Sequence, residues 1–100
     1  IFKKCAACHS INKGGKNKIG PALYNVVGRA VGGVSDYKYS KTLTSYGKEW
    51  TFEELNGFLQ KPASYLKGTK MAYAGLRKEK DRASIIKYLN QKSDSPKLLP

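Results

Sequence analysis

One hundred residues amount to one domain with one modest core. Nineteen Lys and Arg against seven Asp and Glu give a net charge of +12, which points to a negatively charged partner. Two Cys, one His and one Met leave a four-ligand zinc site short of ligands, and no run approaches the roughly 20 apolar residues of a membrane span.

In chain order, residues 1–8 read as the end of a helix running into Cys5-Ala6-Ala7-Cys8-His9. Two thiols at this spacing can add to the two vinyl groups on one edge of a porphyrin, while the next residue sends an imidazole toward the metal. C-x-x-C-H is the spacing of covalent haem attachment, and a helical turn over residues 5–9 would hold that geometry. A thioredoxin-like pair belongs at a strand-to-helix junction, yet no Val and Ile run precedes Cys5. A disulfide would close a very small loop and leave His9 without a role.

Residues 12–33 form a loop rich in Gly and Lys that contains Gly20-Pro21. Residues 40–46 suit a short helix stopped by Gly47. Thr51-Phe52-Glu53-Glu54 is a capping box: the Thr51 side chain accepts from a free N–H, Glu54 reaches back, and the helix runs to residue 60. Pro62 opens a further short helix, ended by Gly68. The last helix is expected over 78–91, with Ile85, Tyr88 and Leu89 on one face. Strand patterns are scarce, so the fold class is all-α. Residues 1–92 form the domain, and 93–100 a polar tail expected to be flexible. Aliphatic residues are sparse, so a buried porphyrin would complete the core, and the chain without it is expected to be largely unfolded.

The charge is unevenly placed. Residues 1–35 carry Lys3, Lys4, Lys13, Lys16, Lys18 and Arg29 without one acidic side chain. Nucleic acid is the bland explanation, but no zinc finger, basic zipper or RNP-like motif accompanies the charge, and the seven Tyr are scattered rather than set on strands as stacking platforms. An acidic protein surface is therefore expected, with an anionic membrane surface as a second electrostatic partner.

The segments Gly20-Pro21-Ala22-Leu23, Gly28-Arg29, Tyr37-Lys38-Tyr39-Ser40, Trp50 and Tyr65-Leu66-Lys67-Gly68-Thr69-Lys70-Met71 stand in this order after C-A-A-C-H. In them the chain resembles class I cytochrome c, nearest the mitochondrial and alphaproteobacterial respiratory type, from Phe2 to about Leu89. The resemblance implies the cytochrome c fold: three main helices, short extra helices and long loops around one covalent haem c. It implies thioethers at Cys5 and Cys8, iron ligation by His9 and Met71, and a hydrogen bond from His9 to the carbonyl of Pro21. Arg29, Tyr39, Trp50 and Thr69 match neighbours of the haem propionates, and Phe2 and Tyr88 match a contact between the first and last helices. Two positions depart from the family: Phe58, where a Tyr commonly bonds the axial sulfur, and Leu43, where an Asn often joins a water network.

What the resemblance implies about function is one-electron transfer, without enzymatic activity, between a quinol:cytochrome c reductase and a cytochrome c oxidase. Lys4, Lys16, Lys18, Lys70 and Lys78 are the candidates for docking on acidic partner surfaces. Thioether attachment takes place on the exported side of energy-transducing membranes. The expected location is therefore the bacterial periplasm, with a targeting segment or membrane anchor upstream, or else the mitochondrial intermembrane space. A monomer is expected. Two other readings stay open: a haem enzyme or gas sensor with a labile Met71, and one domain of a larger or membrane-anchored cytochrome.

Overall fold

A 3-10 turn at Phe2–Lys4 stands where the sequence suggested the end of an α-helix. The computed structural model describes residues 2–99, so Ile1 of that expected helix and Pro100 of the expected tail lie outside the described residues. The Cys5 and Ala6 amides donate to the Phe2 carbonyl at 2.7 and 3.0 Å, and His9 N donates to the Cys5 carbonyl at 2.9 Å. The helical turn expected over residues 5–9 is therefore present.

Helix α1, Lys41–Ser45, starts where the Ser40 hydroxyl accepts from the Leu43 amide. Gly47 follows it at φ 76°, a conformation that costs glycine little. Helix α2, Phe52–Gln60, is capped by Thr51, whose hydroxyl accepts from Glu54 N at 3.1 Å. The other half of the capping box does not form. Thr51 N donates to the Glu49 carbonyl at 2.9 Å, while the Glu54 carboxylate accepts the phenols of Tyr46 and Tyr65 at 2.7 and 2.9 Å. Two charge-assisted O–H bonds outweigh one amide bond.

Helix α3, Pro62–Tyr65, begins with proline at its first turn. It ends three residues before Gly68, the expected stop: the Leu66 amide closes it on the Pro62 carbonyl at 3.0 Å. Gly68, at φ 91°, lies in the bend beyond. Helix α4, Glu79–Gln91, buries Arg82, Ile85, Ile86, Leu89 and Asn90, the spacing of one helical face. This face packs on α2, which contributes Leu55, Phe58 and Leu59 to the core. Each such side chain taken from water contributes about 1.5–3 kcal/mol. The half-buried Tyr88 meets Phe2 at 5.4 Å between ring centroids, the contact the resemblance implied.

The molecule is all-α. Of the three main helices implied, α2 and α4 are present at length, and the 3-10 turn stands in the place of the first. The one strand-like pairing among the described residues is the isolated bridge Ala30↔Glu49. The polar segment after α4 is joined to the body by side chains: Asp94 meets Asn25, Tyr24 and Lys13, and Lys97 exchanges two backbone bonds with the Asn90 amide group.

Candidate functional site

His9 leaves the end of the first turn, and the chain returns to meet it. Gly20 N donates to the Cys8 carbonyl at 2.7 Å and Leu23 N to the Ser10 carbonyl at 2.9 Å. This return places the Pro21 carbonyl 2.7 Å from His9 Nδ1. A carbonyl only accepts, so the proton sits on Nδ1 and the Nε2 lone pair is left free. Burial holds the pKa of His9 below the usual histidine range, with the bond to Pro21 opposing and Arg29 reinforcing the shift. The ring is thereby kept neutral, the form that binds metal.

Gly20 makes this approach achievable. A Cβ there would collide with His9 Cε1 and stand 2.7 and 2.8 Å from the two ring nitrogens. The sequence placed Gly20 in a turn and in the Gly20-Pro21-Ala22-Leu23 segment of the family resemblance, but its contact with a ring eleven positions earlier has no local signal.

Cys5 and Cys8 are half-buried and do not pair with each other. Burial pushes the Cys5 thiol up, so it is a poor thiolate nucleophile at neutral pH. Lys18 Nζ donates to the Ala6 carbonyl at 3.1 Å, on the backbone between the two cysteines. Tyr73 is also close: burial pushes its phenol up, and Cys5 adds to that shift.

Backbone pairing of residues 28–31 with 48–50 brings Arg29 and Trp50 together: Trp50 N donates to the Arg29 carbonyl, and Gly28 N to the Trp50 carbonyl, both at 2.8 Å. Trp50 is buried with its ring 5.0 Å from Phe58. Arg29 donates from Nη1 to the Tyr24 carbonyl at 3.4 Å, and its buried Nε has no partner. Burial lowers its pKa and the nearby Tyr39 phenol partly offsets this. The Tyr39 oxygen accepts from Val34 N at 3.1 Å, leaving its own proton to donate. Thr69 accepts from Met71 N at 3.3 Å, and Met71 packs, partly buried, against the core cluster that contains Trp50 and Phe58.

These residues fit a haem. An arginine whose buried donor lacks a partner, next to a phenol with a proton to give, suits the carboxylates of a porphyrin. The neutral imidazole with free Nε2 suits its iron, and two half-buried cysteines three positions apart suit its vinyl edge. Zinc does not fit: no cluster of three or more His, Cys, Asp or Glu occurs among the described residues. The docking candidates Lys4, Lys16, Lys18, Lys70 and Lys78 are all exposed.

The family model described as Cytochrome c matches residues 1–93. A protein described as Cytochrome c homolog from Bradyrhizobium diazoefficiens is 46% identical over 99 residues, covering 98% of this chain and 54% of that protein. A Cytochrome c homolog of Rickettsia typhi is 49% identical over 89 residues, 89% of this chain and 51% of that protein. Cytochrome c of Theileria parva is 50% identical over 94 residues, 93% of this chain and 81% of that protein. The chain thus spans about half the length of the two bacterial relatives.

Proposed function

Because the chain belongs to the cytochrome c family, whose members carry covalently attached haem c, we propose that it is a one-electron carrier in a respiratory chain. The observation that supports this best is the bond from His9 Nδ1 to the Pro21 carbonyl, since it commits Nε2 to the metal and makes it a stronger donor. When bound, the haem supplies an Fe(III)/Fe(II) couple.

The chain's own residues do the rest. Cys5 and Cys8 would tether the porphyrin edge through thioethers. His9 and Met71 would ligate its iron, which would leave no open position for a substrate and call for little rearrangement between oxidation states. Thioether sulfur, a weak donor, favours the ferrous state and raises the potential. Arg29, with its unpartnered buried Nε, and Tyr39 would hold the propionates, with Trp50 and Thr69 as their further neighbours.

The partners fitting a net charge of +12 are acidic surfaces of a quinol:cytochrome c reductase and of a cytochrome c oxidase, approached through Lys4, Lys16, Lys18, Lys70 and Lys78. The location fitting such partners is the bacterial periplasm or the intermembrane space. No described helix is long and apolar enough to cross a membrane.

Carbon monoxide added to the reduced protein at neutral pH separates this reading from a haem enzyme or gas sensor. A carrier with Met71 in place binds it slowly or not at all; rapid binding would show a labile sixth position and contradict the assignment.

A further inference from the structure

The segment that carries Met71 leaves α3 at Tyr65, and Tyr65 is fastened to α2 in two ways. Its phenol donates to Glu54 Oε1 at 2.9 Å. Its ring lies against Gly57, so closely that a Cβ at that glycine would collide with ring carbon Cε1 and come within 2.7 Å of Cζ. Gly57 sits in the middle of α2, where glycine weakens a helix relative to alanine. A glycine at this position is explained by the ring it admits. Glu54, for its part, forgoes its capping role to take the phenol.

From these contacts we propose that Tyr65, Glu54 and Gly57 form a clasp that positions the 66–71 segment and sets how tightly Met71 is held as the sixth ligand. The proposal rests on the reading of Met71 as a ligand. Beyond Tyr65 the segment is held by the buried Leu66 side chain, by Met71 packed against the core and by a few backbone bonds. Leu66 N returns to the Pro62 carbonyl at 3.0 Å, Thr69 N to the Leu66 carbonyl at 3.1 Å, and Met71 N to the Thr69 hydroxyl at 3.3 Å. Thr42 ties the segment to α1, its hydroxyl donating to the Lys67 carbonyl at 2.6 Å. Loosening Tyr65 frees the end from which this short path to Met71 begins, so sulfur can leave the iron more often.

The structure supplies an internal control. Tyr46 donates to the same Glu54 oxygen, at 2.7 Å, but stands between α1 and α2 rather than at the start of the Met71 segment. Tyr46→Phe and Tyr65→Phe each remove one phenol from one carboxylate. Only the second acts on the segment.

Two readouts on the haem-loaded protein test this: amide hydrogen exchange of Leu66, Thr69 and Met71, and the rate at which added imidazole displaces the Met71 sulfur in the ferric state. Tyr65→Phe is expected to speed both by about tenfold, the loss of one charge-assisted hydrogen bond, with Tyr46→Phe within about twofold of the parent. Gly57→Ala should reproduce the Tyr65→Phe effect even though alanine is the better helix former. Equal effects of the two Phe variants, or unchanged exchange at residues 66–71 in Tyr65→Phe, would overturn the clasp. Faster exchange in a protein whose parent shows no sulfur-to-iron absorption would uphold the clasp as the anchor of the segment and overturn Met71 as the ligand.

Discussion

The Nδ1 of His9 lies 2.7 Å from the carbonyl oxygen of Pro21, across twelve residues of sequence. The bond fixes which nitrogen is free, and Gly20 next to Pro21 is what lets the backbone come so near the ring. Gly20→Ala should push the imidazole off this carbonyl. Overpacking of this kind costs about 1–3 kcal/mol. The expected result is a lower denaturation midpoint together with a lower reduction potential or partial loss of the low-spin spectrum; a variant matching the parent in both would show that the contact does not orient His9.

Phe58 is buried against Trp50 and has no hydroxyl to offer the axial sulfur. Phe58→Tyr should restore a donor there. A hydrogen bond to sulfur withdraws electron density and weakens its hold on ferric iron more than on ferrous iron. The potential is expected to rise, and the sulfur-to-iron band to vanish at a lower alkaline pH than in the parent. Unchanged potential and unchanged alkaline transition would mean that the position does not tune the sulfur.

How much of this was legible in the sequence depends on the range of each interaction. The Thr51 cap was legible because donor and acceptor are three residues apart. The partners of Glu54 were not, since Tyr46 and Tyr65 stand eight and eleven residues away on either side of α2. The C-x-x-C-H turn and the apolar face of α4 follow from spacing alone. The end of α3 does not: Gly68 looked like its stop, whereas the helix closes on Leu66. The site residues Cys5, Cys8, His9 and Met71 came from residue chemistry and family resemblance. The contacts that orient them, Gly20 under His9 and Tyr65 on Gly57, are tertiary and leave no pattern beyond an isolated glycine.

Asp94 ties the segment after α4 to the loop that contains Pro21. Hydrogen bonds from Asn25, then Lys13 and Tyr24, hold its carboxyl below the usual range. A depressed carboxylate pKa stabilises the fold above the unfolded value, and that contribution is lost as pH falls through the folded value. Stability should therefore decline below about pH 4 more steeply in the parent than in Asp94→Asn. The pH dependence of the denaturation midpoint measures this; parallel acid limbs would assign the decline to other groups.

Docking on an acidic partner through exposed lysines makes electron transfer depend on salt. The screening length falls from about 30 Å at 0.01 M to about 8 Å at 0.15 M ionic strength. The second-order rate with an acidic redox partner should drop steeply over that range, and Lys18→Glu, which reverses a cation bonded to the Ala6 carbonyl of the C-x-x-C-H turn, should lower it further at low salt. A flat salt dependence would remove the steering role of the basic face.

The central claim is that His9 and Met71 ligate one covalently held haem iron. It is tested most directly by the visible spectrum of the ferric and dithionite-reduced protein, including the weak far-red charge-transfer band of thioether bound to ferric iron. The account predicts a sharp low-spin reduced spectrum with that band present in the ferric form and lost in Met71→Ala. A c-type spectrum without the band would contradict ligation by Met71 and leave the sixth position open to ligands.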